Sequence, residues 1–288
     1  MSGGPIVPPA PLYPLLYEPL VRRALAEDLG RAGDLTSDAV LPPHLPAVAE
    51  VVARAAGRVA GLPVALSAFR LLDSSIETEA SAADGEDVEA GTILAIVRGP
   101  ARSILSAERT ALNLLGRLCG IATATRDMVA LVAPYGSHIV CTRKTTPGLR
   151  ALEKYAVRCG GGHNHRFGLD DAVLVKDNHI ALAGGLRTAV ERARQSVGHL
   201  VKIEAEVDSL DQLREALDLG VDVVLLDNMS VDTLREAVAL AKGRAITEAS
   251  GGINPQTAAT IAATGVNLLS VGWLTHSAPA LDVALDVA

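Results

Sequence analysis

Cationic and acidic side chains gather at the ends of apolar, β-type runs in the second half of this 288-residue sequence. HIVCTRKTT carries Thr142, Arg143 and Lys144 past its apolar core, and AVLVKDN ends in Lys176. IEAEV presents Glu204 and Glu206, and VVLLDN ends in Asp227. AITEASGGI brings Glu248, Ser250, Gly251 and Gly252, and NLLSVGW brings Ser270, Val271 and Gly272. Between the first two runs lies GGGHNHR, with His165 and Arg166. A strand whose C-terminal end carries reactive polar groups is how α/β proteins build sites. Cations packed this closely repel one another unless something anionic binds between them. Glu204 and Glu206 are two apart, so both face one side of a strand, and two buried carboxylates need cations or a metal. Free N–H groups at SGG and SVG turns ahead of helix N-termini suit a phosphoryl group.

Plainer readings accompany each of these. A strand-ending lysine is often a solvated rim residue, and Lys144 and Lys176 could balance Glu204 and Glu206 as a structural ion-pair network. Either lysine could also serve a Schiff-base aldolase. Cys159, His163, His165 and His179 fit no structural zinc spacing, and the glycines between them favour a tight turn; His165 beside Arg166 reads better as a donor pair for a carboxylate.

The elements that must position these groups follow from periodicity. Strand candidates end at Lys144, Lys176, Glu206, Asp227, Ser250 and Gly272. Helix candidates lie between them at Leu149–Arg158, Leu186–Val197, Leu210–Leu219, Val231–Ala241 and Pro255–Thr264. Units of roughly 20 to 30 residues are the βα repeat of a parallel sheet. No GxGxxG follows a first strand and no GxxxxGK[ST] loop is present, so a closed or nearly closed barrel is preferred to an open sheet.

Upstream, Leu15–Leu29 predicts an amphipathic helix ending at Gly30. Val64–Leu72 predicts another between β-rich segments at Ala47–Ala53 and Glu86–Val97, as in an α+β sandwich. DGEDVEAGTILAIVRG is similar to lipoyl or biotinyl carrier hairpins, but no lysine precedes Lys144, which rules out a carrier. Ser103–Val132 reads as one long helix with Glu108, Arg109 and Asn113 near its apolar face; for Glu108 a surface salt bridge is an equal alternative. The expected division is a disordered or draped tail at 1–14, a sandwich domain at 15–115 joined by the C-terminal segment 274–288, and a barrel at 116–273.

Composition narrows the partners. Aromatics are 2% and net charge is −7, which argues against the stacking platforms and basic footprint of a nucleic-acid binder. A basic cluster inside an acidic protein suits a small, highly charged anion. Three cysteines without a CxxC pair and no secretory leader point to a reducing cytoplasm. No uncharged run of about 20 apolar residues is present to span a membrane.

Taken together, CTRKTTPGLRALEKYAV, GGGHNHRFGLDDAVLVKDNHI, EAEVDSL, VLLDNM, SGGI and SVGWLTHS resemble quinolinate phosphoribosyltransferases, as do EDLGRAGDLTSDAV and AERTALNLL. The likeness covers nearly the whole chain after the Pro-rich tail. It implies an α/β fold with an N-terminal α/β sandwich domain and a C-terminal, irregular TIM-like α/β barrel, acting as a homodimer on quinolinate and phosphoribosyl pyrophosphate with Mg²⁺. Lys144, Lys176, Glu206 and Asp227 would be catalytic, the two lysines lying between the substrates. Arg109 would reach across the dimer to quinolinate, and Arg143, His165 and Arg166 would hold its carboxylates, with Thr142 also in the substrate site. Glu206 and Asp227 would hold ribose hydroxyls and Mg²⁺, with Glu204 nearby. Ser250, Gly251, Gly252, Val271 and Gly272 would grip the 5′-phosphate. Trp273 departs from the small residue usual after that glycine.

Overall fold

The computed structural model describes residues 9–288, so residues 1–8 of the expected tail lie outside the described residues. The chain forms two compact units, one of residues 9–126, Thr145–Gly161 and Leu274–Ala288, the other of Asp127–Lys144 and Gly162–Trp273. The chain therefore passes between units at 126/127, rather than at 115/116, inside the helix Ala101–Val132.

The first unit is built on a four-stranded antiparallel sheet in the order Val283–Val287, Pro46–Ala53, Ile93–Pro100, Glu77–Ala80. Pro46–Ala53 is paired on both sides, and its later residues are mostly buried. Helix Leu62–Leu72 is apolar nearly all round and buries Leu62, Val64, Leu66 and Phe69, as a core helix must. Asp34 starts the helix Leu35–Val40 by accepting from the N–H groups of Thr36 (3.1 Å) and Ser37 (2.9 Å), an N-cap of the usual kind. The single β segment expected over Glu86–Val97 is interrupted. Asp87–Val88 pairs with Gly57–Arg58, and the chain turns before Ile93–Pro100 begins. The edge strand Glu77–Ala80 (ETEA) has no apolar alternation to announce it and is held in part by Glu79 accepting from Arg98 at 2.9 Å. The C-terminal segment approaches the long helix where its side chains vanish. A Cβ on Gly116 would lie 2.8 Å from the Leu281 carbonyl oxygen, and the Leu281 N–H donates to Gly116 at 2.9 Å.

The second unit is a parallel six-stranded sheet in the order His138–Val140, Leu268–Ser270, Ile246–Ser250, Val223–Asp227, Ile203–Val207, Val173–Val175. This is the neighbour order of a βα barrel opened between its first and second strands, the irregular barrel expected. At the opening, His163 lies beside the first strand, exchanging hydrogen bonds with Ile139 and Cys141 (2.8 and 3.0 Å). The strands are short; Val173–Val175 and Val223–Asp227 are apolar up to their ends, as strands covered on both faces are, while Ile203–Val207 and Ile246–Ser250 carry glutamates. Ser209 and Ser230 cap Leu210–Asp218 and Val231–Ala241 by accepting from Gln212 (3.4 Å) and Thr233 (3.2 Å).

Several boundaries differ from expectation. The first strand stops at Val140, not Lys144, leaving Thr142–Lys144 in a loop that bends at Arg143. Helix Arg150–Cys159, expected as this barrel's first crossover, belongs to the other unit. Pro255–Thr264 shortens to Ala258–Ala262, and an unexpected helix, Asp177–Ala183, starts directly after Lys176. No helix among the described residues is long and apolar enough to cross a membrane.

Candidate active site

Side chains alternate along a strand, so every second residue of each barrel strand points inward. Leu174, Glu206, Leu225, Asp227, Glu248, Ser250 and Ser270 take these inward places at the C-terminal ends of their strands. With Thr142, Arg143, Lys144, His165, Arg166 and Lys176 from the adjoining loops, they line one cavity of about 440 Å³. Register explains the layering: Leu225 lies opposite both Glu206 and Glu248, and Asp227 lies opposite Ser250 one layer higher.

Local bonds fix this arrangement. Lys176 meets Glu206 Oε2 through its ammonium, and its backbone N–H donates to His179 Nδ1 at 2.9 Å, which locks the start of Asp177–Ala183. Asp227 Oδ2 accepts from the Asn228 side-chain amide at 2.8 Å. Asn228 is the one non-glycine with positive φ (52°) among the described residues, and its N–H donates to Ser250 at 2.9 Å. Gly251 (φ 100°) must be glycine twice over, because a Cβ there would overlap Asn228 Oδ1. The DN and SGG turns therefore interlock. Trp273 adds a tie of its own, its indole N–H donating to the Ile253 carbonyl at 3.2 Å and so joining the SVG turn to the SGGI turn.

The cavity is electrostatically prepared for an anion. Burial, and next the Arg143 guanidinium, push the Arg166 pKa down, against the opposing pull of Glu204 and Asp171. Two guanidiniums that disfavour one another's charge gain when an anion sits between them. Arg166 is held in place by donating to the Ala172 carbonyl at 3.0 Å.

Below them lies a buried group. His165 Nδ1 accepts from the Arg166 backbone N–H at 2.8 Å, and Nε2 faces Glu204 Oε2 at 2.9 Å and Glu248 Oε1 at 3.7 Å. Both ring nitrogens are thus engaged, and a donor role toward a substrate carboxylate requires one of these bonds to be given up. Glu204 and Glu248 are buried, 7% and 2% exposed, and the Oε1 atom of each lacks a hydrogen-bond partner. Glu248 was legible as a strand-end residue but had no assigned role. Its inward direction follows from Ser250, two residues on.

The remaining expected residues fall as follows. Gly251, Gly252, Val271 and Gly272 continue the turns after Ser250 and Ser270 without lining the cavity, and Val271 is buried with its N–H on Val140 at 2.9 Å. Arg109 is absent from the lining. It sits on Ala101–Val132 in the first unit, largely exposed and 3.3 Å from Glu108.

Comparison with known proteins places these features. The sequence profile of the quinolinate phosphoribosyl transferase N-terminal domain matches residues 34–119, and that of the C-terminal domain matches residues 121–286. The chain is 45% identical to the probable nicotinate-nucleotide pyrophosphorylase [carboxylating] of Bacillus subtilis, over 95% of this chain and 94% of that one. NadC from Streptococcus pyogenes superimposes with a TM-score of 0.94 at 37% identity, covering 97% of this chain and 99% of that one. The nicotinate-nucleotide pyrophosphorylase from Francisella tularensis gives 0.93 at 38% identity over 96% and 98%. On both domains and over nearly its full length, this chain belongs to the quinolinate phosphoribosyl transferase family.

Proposed function

We propose that this chain transfers the phosphoribosyl group of 5-phosphoribosyl 1-pyrophosphate to quinolinate with decarboxylation, giving nicotinate mononucleotide, CO₂ and pyrophosphate. The observation that carries this is the convergence of Lys144, Lys176, Glu206 and Asp227, with Arg143 and Arg166, on one cavity. Quinolinate is a dianion and the donor is more negative still, which matches the repelling guanidiniums and the nearby lysines.

In this reading Arg143 and Arg166 orient the pyridine carboxylates, with His165 beside them and Thr142 at the rim. The ring nitrogen forms a bond to C1 of the ribose as the C1–O bond to pyrophosphate breaks. Positive charge develops on the sugar, where Glu206 and Asp227 oppose it, while Lys144 and Lys176 face the departing negative charge. The quaternised nitrogen then stabilises the electron pair left at C2 when CO₂ departs, and C2 takes a proton. Positioning and electrostatics suffice, without a covalent enzyme intermediate. Ser250, Gly251, Gly252, Val271 and Gly272 shape the turns assigned to the 5′-phosphate.

Mg²⁺ fits this donor set. Glu206 and Asp227 are hard oxygen donors lining the same cavity, and Mg²⁺ is commonly held by one or two carboxylates, waters and substrate phosphates. When bound it would neutralise pyrophosphate charge. We also assign a homodimer, with Arg109 serving the neighbouring subunit's site, and a cytoplasmic setting, for which three buried cysteines without a disulfide are suited.

Purified protein is expected to release CO₂ and form nicotinate mononucleotide from the two substrates, only with Mg²⁺ present. Failure to release CO₂ under those conditions would overturn the assignment. A second experiment addresses the shared site. Inactive Arg109→Ala protein mixed with inactive Lys176→Ala protein should regain activity by forming one intact site per hybrid dimer; mixtures that stay inactive after subunit exchange would confine Arg109 to its own subunit.

A further inference from the structure

The buried group of His165, Glu204 and Glu248 is not accounted for by the roles above. One donor atom from each residue lies within 4.8 Å of the others, and one oxygen of each carboxylate is buried without a hydrogen-bond partner. Something positive must occupy the space between two buried carboxylates. The choice lies between a metal ion and a proton, and His165 decides it.

A metal on Nε2 needs that nitrogen's lone pair, which moves the ring proton to Nδ1. Nδ1 already accepts the Arg166 backbone N–H at 2.8 Å, so ligation would set two N–H groups against each other. The same bond leaves the ring proton on Nε2, where it is donated to Glu204 Oε2 at 2.9 Å. Neutral His165 therefore contributes no positive charge, and the pair Glu204 and Glu248 is short of one proton's worth.

We propose that Glu248 is a positioning residue that keeps its proton at the cavity floor up to near-neutral pH, and that this proton lets neutral His165, Glu204 and the Arg166 loop keep their places beneath a dianionic substrate. The inference rests on the quinolinate reading for what the floor supports, but not for the protonation itself. Burial is the main force raising the Glu248 pKa, to about 7, and the Glu204 charge adds to it. The Ser270 hydroxyl and Lys176 pull the other way, as would a charge on His165, which its acceptor bond at Nδ1 disfavours. The facing elements bring Glu204 and Glu206 from one strand, Asp227 from the next, and Arg143 and Arg166 from the loops. Its register partners Leu225 and Leu268 are uncharged.

The sign follows. A carboxyl whose folded pKa is raised stabilises the fold fully below its ordinary range, and that stabilisation is lost as pH rises through the folded value. Ionised Glu248 would also place a second negative charge under quinolinate. The affinity for quinolinate is thus expected to fall as pH rises from about 6 to about 8, across the raised value, with kcat less affected than KM.

The decisive variants are Glu248→Gln, which imitates the un-ionised acid, and Glu248→Ala, which removes its contacts. Difference infrared spectra of wild type minus Glu248→Gln at neutral pH should contain the C=O stretch of an un-ionised carboxyl. Glu248→Gln should abolish the alkaline rise in quinolinate KM and the matching fall in thermal stability. It should also exceed Glu248→Ala in kcat/KM by about tenfold or more, as expected when unpaired buried partners are avoided. The proposal is overturned if that infrared band is missing, if Glu248→Gln keeps the wild-type pH profile, or if wild type binds Zn²⁺ at this site in a Glu248-dependent way. Because the spectra and melting curves need no substrate, a protein that shows the band yet fails to bind quinolinate refutes the proposed reaction and leaves this inference standing.

Discussion

Lys144→Ala lowers kcat/KM for phosphoribosyl transfer by at least about a hundredfold, the scale of losing one preorganised charge partner of a transition state, while the melting temperature hardly moves. The expectation comes from the contrast between what Lys144 does for the fold and where its charge lies. It follows the end of the first strand by four residues, in a loop, exposed where that loop lines the cavity. Its backbone N–H donates to Thr142 Oγ1 at 3.0 Å, a bond that alanine retains. Lys176 makes a poorer test, since its removal strips Glu206 of an ion-pair partner and mixes structural loss with catalytic loss. Steady-state kinetics and calorimetry on one preparation separate the two quantities. A purely structural ion-pair network or a phosphate-binding protein predicts turnover unchanged within a few-fold, and such a result would remove Lys144 from the chemistry. An aldolase predicts instead a lysine adduct trapped by borohydride with a carbonyl substrate.

How much of this was readable in advance depended on whether a residue's partners are near in sequence. Asp227, Ser250 and Glu206 were legible because an apolar run followed by a polar terminus fixes both the strand and the inward face. Asp34 caps its helix by accepting from N–H groups only two and three residues away, a pattern that local sequence can carry. Glu77–Ala80 was not, because a solvated edge strand buries nothing and so carries no alternation. Glu248 was placed on its strand but not given a role. Its raised pKa comes from burial and then from the Glu204 charge, 44 positions earlier, and no local pattern encodes that proximity. The same holds for the crossover helix. Arg150–Cys159 has the length and amphipathic spacing of a barrel helix, and only tertiary packing assigns it to the other unit. The motif resemblance named residues from several strands and loops that line one cavity, because it encodes spatial neighbours that periodicity cannot.

That helix yields the largest stability effect. Its EK pair resembles a solvated surface, yet Glu153 is 0% and Lys154 1% exposed. Glu153 Oε1 accepts from Arg117 Nη2 at 2.7 Å and Nε at 3.2 Å, and Oε2 accepts from the Thr146 N–H at 2.9 Å. Arg117 in turn donates to the Thr275 carbonyl at 2.5 Å. One carboxylate therefore ties together the long helix, the loop before Arg150 and, through Arg117, the start of the C-terminal segment. Glu153→Ala leaves a guanidinium and a backbone N–H without their acceptor. Breaking a buried pair from one side costs about 3–5 kcal/mol, and because the Arg117 side chain is 25% exposed, water recovers part of that and the loss should lie near about 3 kcal/mol. Urea unfolding should show the midpoint falling with little change in slope. The double variant Arg117→Met/Glu153→Leu should be more stable than Glu153→Ala alone, since replacing both charges by apolar groups removes the unpaired cation. If the double variant is instead the less stable of the two, the damage lies in lost packing and the Thr275 contact, and the carboxylate is not the tie.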